Sequence, residues 1–139
     1  MITVSRDTAS MLLRICFLVG AVTDGLAIIP MAFPRIGSAL FGVDPSKVGA
    51  EYRYAMGIGA SLMAGWTALL VWGAIDPIAR RDILILTLVP VVAGIIAATA
   101  AAVGNRVVLL SRVIPLWIHL GCVSILFLVG YALSFCVSG

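Results

Sequence analysis

Charge is scarce in this sequence: charged residues make up 11% of its 139 positions, against 63% hydrophobic. A water-facing globule carries roughly 25% charged residues, so too few remain here to cover one, and lipid must cover most of the surface. Histidine is scarcer still, with His119 standing alone. That excludes a haem held between two histidines of one protomer. A zinc centre would also need more clustered His, Cys or carboxylate ligands than the chain offers. The three cysteines, Cys16, Cys122 and Cys136, lie in apolar segments without a C-x-x-C pair, so no thioredoxin-like redox site or zinc knuckle is signalled. Buried thiols of this kind act as small hydrophobes.

No run of Lys and Arg is present either. Nine basic residues stand against six acidic ones, and they occur singly or as the pair Arg80–Arg81, near the ends of apolar runs. A nucleic-acid binder would show a basic stripe; this spacing is that of residues flanking a membrane. No Ser-, Gln- or Pro-rich linker divides the chain, which reads as one integral-membrane domain over 1–139. Arg6, Arg14, "ICFLVGAV", Ala21 and Thr23 loosely imitate a secretory signal peptide. The expectation is that this segment is kept as a helix.

What is abundant is apolar sequence, in four stretches long enough to cross a bilayer, which takes about 20 residues: Met11–Phe33, Tyr54–Trp72, Ile83–Val103 and Val113–Val137. Pro30 and Pro34 predict that the first helix weakens near Ile29. Asp44-Pro45 and Asp76-Pro77 offer capping carboxylates followed by proline, so the second and third helices are expected to begin near Pro45 and Pro77. Gly73 and Gly104 stand where left-handed helix ends are expected. Within "PRIGSALFGVDPSKVGAEYR", Ile36, Leu40 and Phe41 have near-helical spacing, predicting a short helix at the membrane surface. The predicted fold is all-α: an antiparallel four-transmembrane-helix bundle with a short interfacial helix between spans one and two, and both termini on one face. The terminal face carries Arg6, Arg14, Arg80 and Arg81; the other carries Arg35, Lys47, Arg53, Arg106 and Arg112. The count does not decide orientation, but the compact Arg80–Arg81 loop and the N-terminal arginines favour cytoplasmic termini in a bacterial inner membrane.

Two helices carry faces of small residues. Gly57, Ser61 and Gly65 recur at every fourth position of span two, and Gly94, Ala98 and Ala102 do so in span three. Such faces let helices approach closely. Packing within the bundle is the first expectation, and a homo-oligomer interface the second. Pro90, in span three, removes the partner of the Leu86 carbonyl, which a neighbouring helix, a water or the Thr87 hydroxyl can satisfy.

A proline ending span one, then "SALFG", a short linker, "YR" and a glycine-rich second span form a pattern that resembles small bacterial four-helix membrane families, DoxX-like and related families of unknown function. The resemblance covers about a quarter of the chain, residues 34–65. It implies a four-helix bundle. Some DoxX members are described as subunits of quinone-linked oxidoreductases, but no catalytic motif of theirs has a counterpart here, and Asp24 and His119 match no family pattern.

Asp24 is the one charge between Cys16 and Met31. Exposed to lipid it would cost at least about 2.5–3.5 kcal/mol, so it should face inwards and be paired. If span one ends near Ile29, Asp24 lies about 8 Å deep, and His119, seven residues past Arg112, about 10 Å deep. Ser61, eight residues beyond Arg53, reaches a comparable depth. Asp24, Arg53, Ser61 and His119 are thus expected to form a polar intramembrane cluster, with Asp24 meeting Arg53 or His119. The cluster would either fix helix register or form a proton- or ligand-binding pocket. A Ser–His–Asp triad from Ser61, His119 and Asp24 lacks a nucleophile elbow. With no catalytic, metal or cofactor motif, the reading is a non-enzymatic accessory or interaction subunit of a membrane assembly. The alternative is a small oligomeric transporter, channel or lipid- or ligand-binding membrane protein. The partners expected are the bilayer and either further copies or a larger membrane complex, with no nucleic acid.

Overall fold

In the computed structural model, which describes residues 5–44, 46 and 48–136, helix follows helix with no strand among the described residues. Ser5 starts the first one: its hydroxyl accepts the Thr8 N–H at 3.2 Å, with Asp7 in the first turn. Helix α1 then runs Arg6–Ala32, straight through Pro30, and the Phe33 N–H still reaches the Ile29 carbonyl at 2.9 Å. The predicted weakening at Ile29 is therefore not seen. In an apolar medium every backbone bond that can be kept is kept, and the chain turns only at Phe33, where α2 (Pro34–Phe41) begins with proline at its first position. Gly37 lets α2 lie against the end of α1, since a Cβ there would stand 2.5 Å from the Pro30 carbonyl oxygen. Gly42, left-handed at φ 68°, closes α2.

The second span, α3, is Ala50–Ile75, later than the expected start at Pro45. The Asp44 carboxylate takes the Ser46 N–H at 2.9 Å, a local Asx turn in place of a helix cap. Pro45, Lys47 and Val137 lie outside the described residues. Asp76 ends α3 and caps a turn through the Ala79 N–H at 3.4 Å; regular helix resumes only at α4, Asp82–Leu86. The third span continues as a π-helical turn, Thr87–Val92, and then α5, Ala93–Gly104. Pro90 lies inside that turn, so the wider helix absorbs the missing donor. The Thr87 hydroxyl bonds the Ile83 carbonyl at 2.8 Å, not that of Leu86. Helix α6, Leu110–Leu133, is the fourth span. Four helices are thus long and apolar enough to cross a membrane, and the chain is an all-α, four-helix integral membrane protein.

Neither Gly73 nor Gly104 is left-handed; the positive φ after α5 belongs to Arg106, at 56°. Gly73 has another task. Helices α1 and α3 form the most extensive helix pair of the bundle, and the Phe17 ring fills the space that a Cβ of Gly73 would need. Gly20 and Gly130 do the same for Phe127 and Cys16: a Cβ there would fall 2.7 Å from Phe127 Cζ and 2.6 Å from Cys16 Sγ. Large side chains set into glycine notches are how helices gain contact where lipid removes the hydrophobic drive. Phe17, Phe127, Leu13, Leu70 and Leu84 are fully buried around these notches.

The small faces read from the sequence lie elsewhere. Gly57, Ser61, Gly65, Gly94 and Ala98 are all exposed, and a Cβ at Gly57, Gly65 or Gly94 would meet nothing within 4 Å. Packing within the bundle is corrected accordingly. Helix α3 has small residues on two faces, and α1 takes the one whose glycine admits Phe17, turning the Gly57–Ser61–Gly65 face outwards.

Candidate functional site

Antiparallel registry decides which side chains share a layer. Along α1 and α3, Phe17 meets Gly73, Gly25 faces Thr67 and Gly59 faces the Met31 sulfur. Along α1 and α6, Cys16 bonds the Leu126 carbonyl and Thr23 meets His119. The layer at Asp24 is therefore built from Thr67 of α3 and the His119 turn of α6.

Asp24 continues the buried stripe Leu13, Phe17, Gly20 and Ala21 by one helical turn and is 7% exposed, facing inwards as expected. The expected pairing is not made. Its Oδ2 is buried and without a hydrogen-bond partner, and no ion pair joins Asp24 to Arg53 or His119 among the described residues. Arg53 is exposed at the membrane-surface end of α3, on the lipid-facing side with Tyr54 and Gly57. Ser61 is exposed as well, and its hydroxyl bonds the Gly57 carbonyl at 3.1 Å. His119 comes nearest, with Nε2 3.3 Å from the Thr23 hydroxyl, but it lies exposed in the outer α1–α6 seam. The cluster is thus divided: Asp24 inside, His119 at the seam, Arg53 and Ser61 outside. The reason is angular. Equal depth along a helix says nothing about direction around it, and the Gly73 notch fixes that rotation for α3. Ser61, His119 and Asp24 do not assemble as a triad.

The structure adds side chains that depth alone had not marked. Thr67 Oγ1 is the second buried polar atom without a partner among the described residues, in the same layer as Asp24. The Trp66 indole donates to the Thr87 hydroxyl at 3.1 Å, and the Trp117 indole to the Thr99 hydroxyl at 2.8 Å. Two indole–threonine bonds therefore tie the third span to α3 and to α6. A tryptophan deep in a span opposite a threonine in another was their only trace in the sequence.

The two ends of the bundle treat arginine differently. On the terminal face, Arg14 bonds the Ala74 carbonyl at 3.2 Å, and Arg80 bonds the Trp72 carbonyl with its guanidinium 3.7 Å from that ring centre. Arg81 bonds the Ser134 carbonyl at 3.4 Å and lies 3.9 Å over Phe135. These cations sit on helix C-termini, where free carbonyls and the helix dipole favour them.

No family model matches the chain, and neither a curated protein nor a solved structure does. Function has to be read from the chain's own surfaces. The open faces offer contact with other helices, and the Asp24–Thr67 layer offers a buried acid without a partner.

Proposed function

We propose that this small polytopic membrane protein is a non-enzymatic accessory subunit that docks onto helices of a larger membrane assembly. The observation carrying this reading is α5: no residue of Ala93–Gly104 is buried. Its sequence, AGIIAATAAAVG, is apolar apart from Thr99, which is bonded to Trp117, and Gly94, Ala97, Ala98 and Ala101 are exposed with short side chains. The first half of the same span buries Ile83, Leu84, Thr87 and Val92, so the third span turns to the bundle interior only before Ala93. A helix of small residues left open in this way supports close packing against a helix of another subunit. The reading includes a bacterial inner membrane with cytoplasmic termini, supported by Arg80 and Arg81 in the tight terminal-face turn. Gentle solubilisation from the native membrane, followed by size and composition analysis, tests it. A stoichiometric partner lost on Gly94→Leu and Ala98→Leu is expected; a lone, monodisperse chain that also functions by itself would refute it.

A second reading, a ligand- or proton-binding membrane protein, is favoured by the partnerless Asp24 Oδ2. Intramembrane carboxylates are costly and tend to mark ion or proton paths. Reconstituted vesicles separate the two: proton or cation flux abolished by Asp24→Asn with the fold intact supports this reading, and tight vesicles with wild-type protein count against it.

A further inference from the structure

The bundle end opposite the termini holds a cavity of about 430 Å³ lined by Phe33, Pro34, Arg35, Ser38, Val48 and Arg53. Its two guanidinium groups have no partner among the described residues, whereas three of the four arginines on the other face, Arg14, Arg80 and Arg81, are bonded. Their positions add to the contrast. Arg35 is the second residue of α2 and Arg53 the fourth of α3, so both cations stand at helix N-termini, where the dipole opposes them. Neither helix has a side-chain cap. Two cations without a partner among the described residues thus line one cavity, while the Glu51 carboxylate in the first turn of α3 is exposed and does not line it, so the site is electropositive and favours an anion. Arginine forks match the oxygens of a phosphate.

The cavity also has an apolar continuation. Arg53 borders a second, shallower groove of about 370 Å³ that runs down the outside of α3 between Tyr54, Ile58 and Leu62, over Gly57 and Ser61. Gly57 leaves the floor of this groove open, with nothing within 4 Å of where its Cβ would be. A polar head site at the membrane surface thus opens at Arg53 into an apolar track pointing into the bilayer.

We propose that Arg35 and Arg53 bind the phosphate of an anionic phospholipid whose acyl chain lies along the Gly57–Ser61 face of α3. The site takes a phosphate ester with an attached tail, so anionic lipid is preferred over zwitterionic lipid and over water-soluble phosphate. This occupant gives a use to the small-residue face that the Phe17–Gly73 contact turns outwards, and it does not depend on what covers α5.

Native mass spectrometry of the full chain in detergent tests the proposal with three probes: phosphatidylglycerol, phosphatidylcholine and glycerol phosphate. Phosphatidylglycerol should be retained most tightly, and Arg35→Gln with Arg53→Gln should weaken it about tenfold, the scale of lost charge-assisted contacts. Gly57→Leu, which fills the groove at an open position, should weaken the lipid with both arginines in place. Circular dichroism and size-exclusion profiles identify variants that remain folded, and each arginine changed singly supplies a second reading of the head site. Equal retention of phosphatidylcholine, equal binding of glycerol phosphate, or unchanged lipid binding in the folded double variant would each overturn the proposal.

Discussion

The terminal-face half of the bundle and the opposite half are built on different terms. Near the termini, Phe17 enters the Gly73 notch, Phe127 meets Gly20, Cys16 meets Gly130, and Arg14, Arg80 and Arg81 close helix C-termini. Beyond Asp24 the interior thins. Helix α5 buries no residue, Gly57 and Gly94 face open space, and Arg35 and Arg53 stand around a cavity with no partner among the described residues. One half holds the helices together; the other presents surfaces. The comparison shows that small residues do opposite work in the two halves. They admit a large side chain from inside where one is available, and leave a vacancy for an outside partner where none is.

The largest effect should come from blocking a notch. Gly73→Leu drives a branched side chain into the Phe17 ring and should destabilise the bundle by about 3 kcal/mol, the upper range for overpacking. Gly94→Leu, the same change in the open half, should leave thermal unfolding in detergent unchanged. If both variants unfolded alike, the division into halves would be broken.

Removing the large partner is the next step down. Phe127→Ala leaves a void beside Gly20 and should cost about 2 kcal/mol, less than in a soluble core because lipid is as apolar as the interior. Steric-trapping or denaturant titration in micelles reads this directly.

Where the halves meet, Thr87→Val deletes the acceptor of the Trp66 indole at the π-helical turn. About 1 kcal/mol is expected, near the upper range for hydrogen bonds between membrane helices. Tryptophan fluorescence should report a changed Trp66 environment, and Thr87→Ser should restore both stability and spectrum. Failure of the serine variant would show that shape, not the hydroxyl, matters there.

The smallest effects concern the arginines and sharpen the comparison most. Arg81→Gln loses the Ser134 carbonyl and the Phe135 ring and should cost about 0.5–1 kcal/mol. Arg53→Gln loses no partner and should change stability by less than about 0.5 kcal/mol in lipid-free detergent. A large loss at Arg53 would mean that it does hold the fold, as an ion pair with Asp24 would have required.

Much of this was legible without coordinates. Four long apolar runs with so few charges leave a helical membrane bundle as the structure that satisfies its own backbone in lipid. The short helix over residues 34–41 and the inward aim of Asp24 followed from spacing and from the cost of charge in a bilayer. The site was read less well. Arg53, Ser61 and His119 were grouped with Asp24 by depth, which spacing fixes at 1.5 Å per residue; their direction around each helix was not fixed by it. The Gly57–Ser61–Gly65 face of α3 was legible as spacing, but the face that α1 takes, with Gly59, Thr67 and Gly73, carries no regular small-residue repeat to mark it.

The sequence by itself determined the class, the number of spans and their antiparallel order, because hydrophobicity and backbone satisfaction in lipid are local properties of the chain. Only the tertiary structure decided which face of each helix looks inwards, and with it that Asp24 has no partner among the described residues, that α5 buries no residue and that Arg35 and Arg53 converge on one cavity. Helix rotation in a bilayer is set by pairs of shapes from distant segments, such as Phe17 and Gly73. No single apolar run carries that information, because lipid tails and protein interiors are equally apolar and periodicity alone does not choose between them.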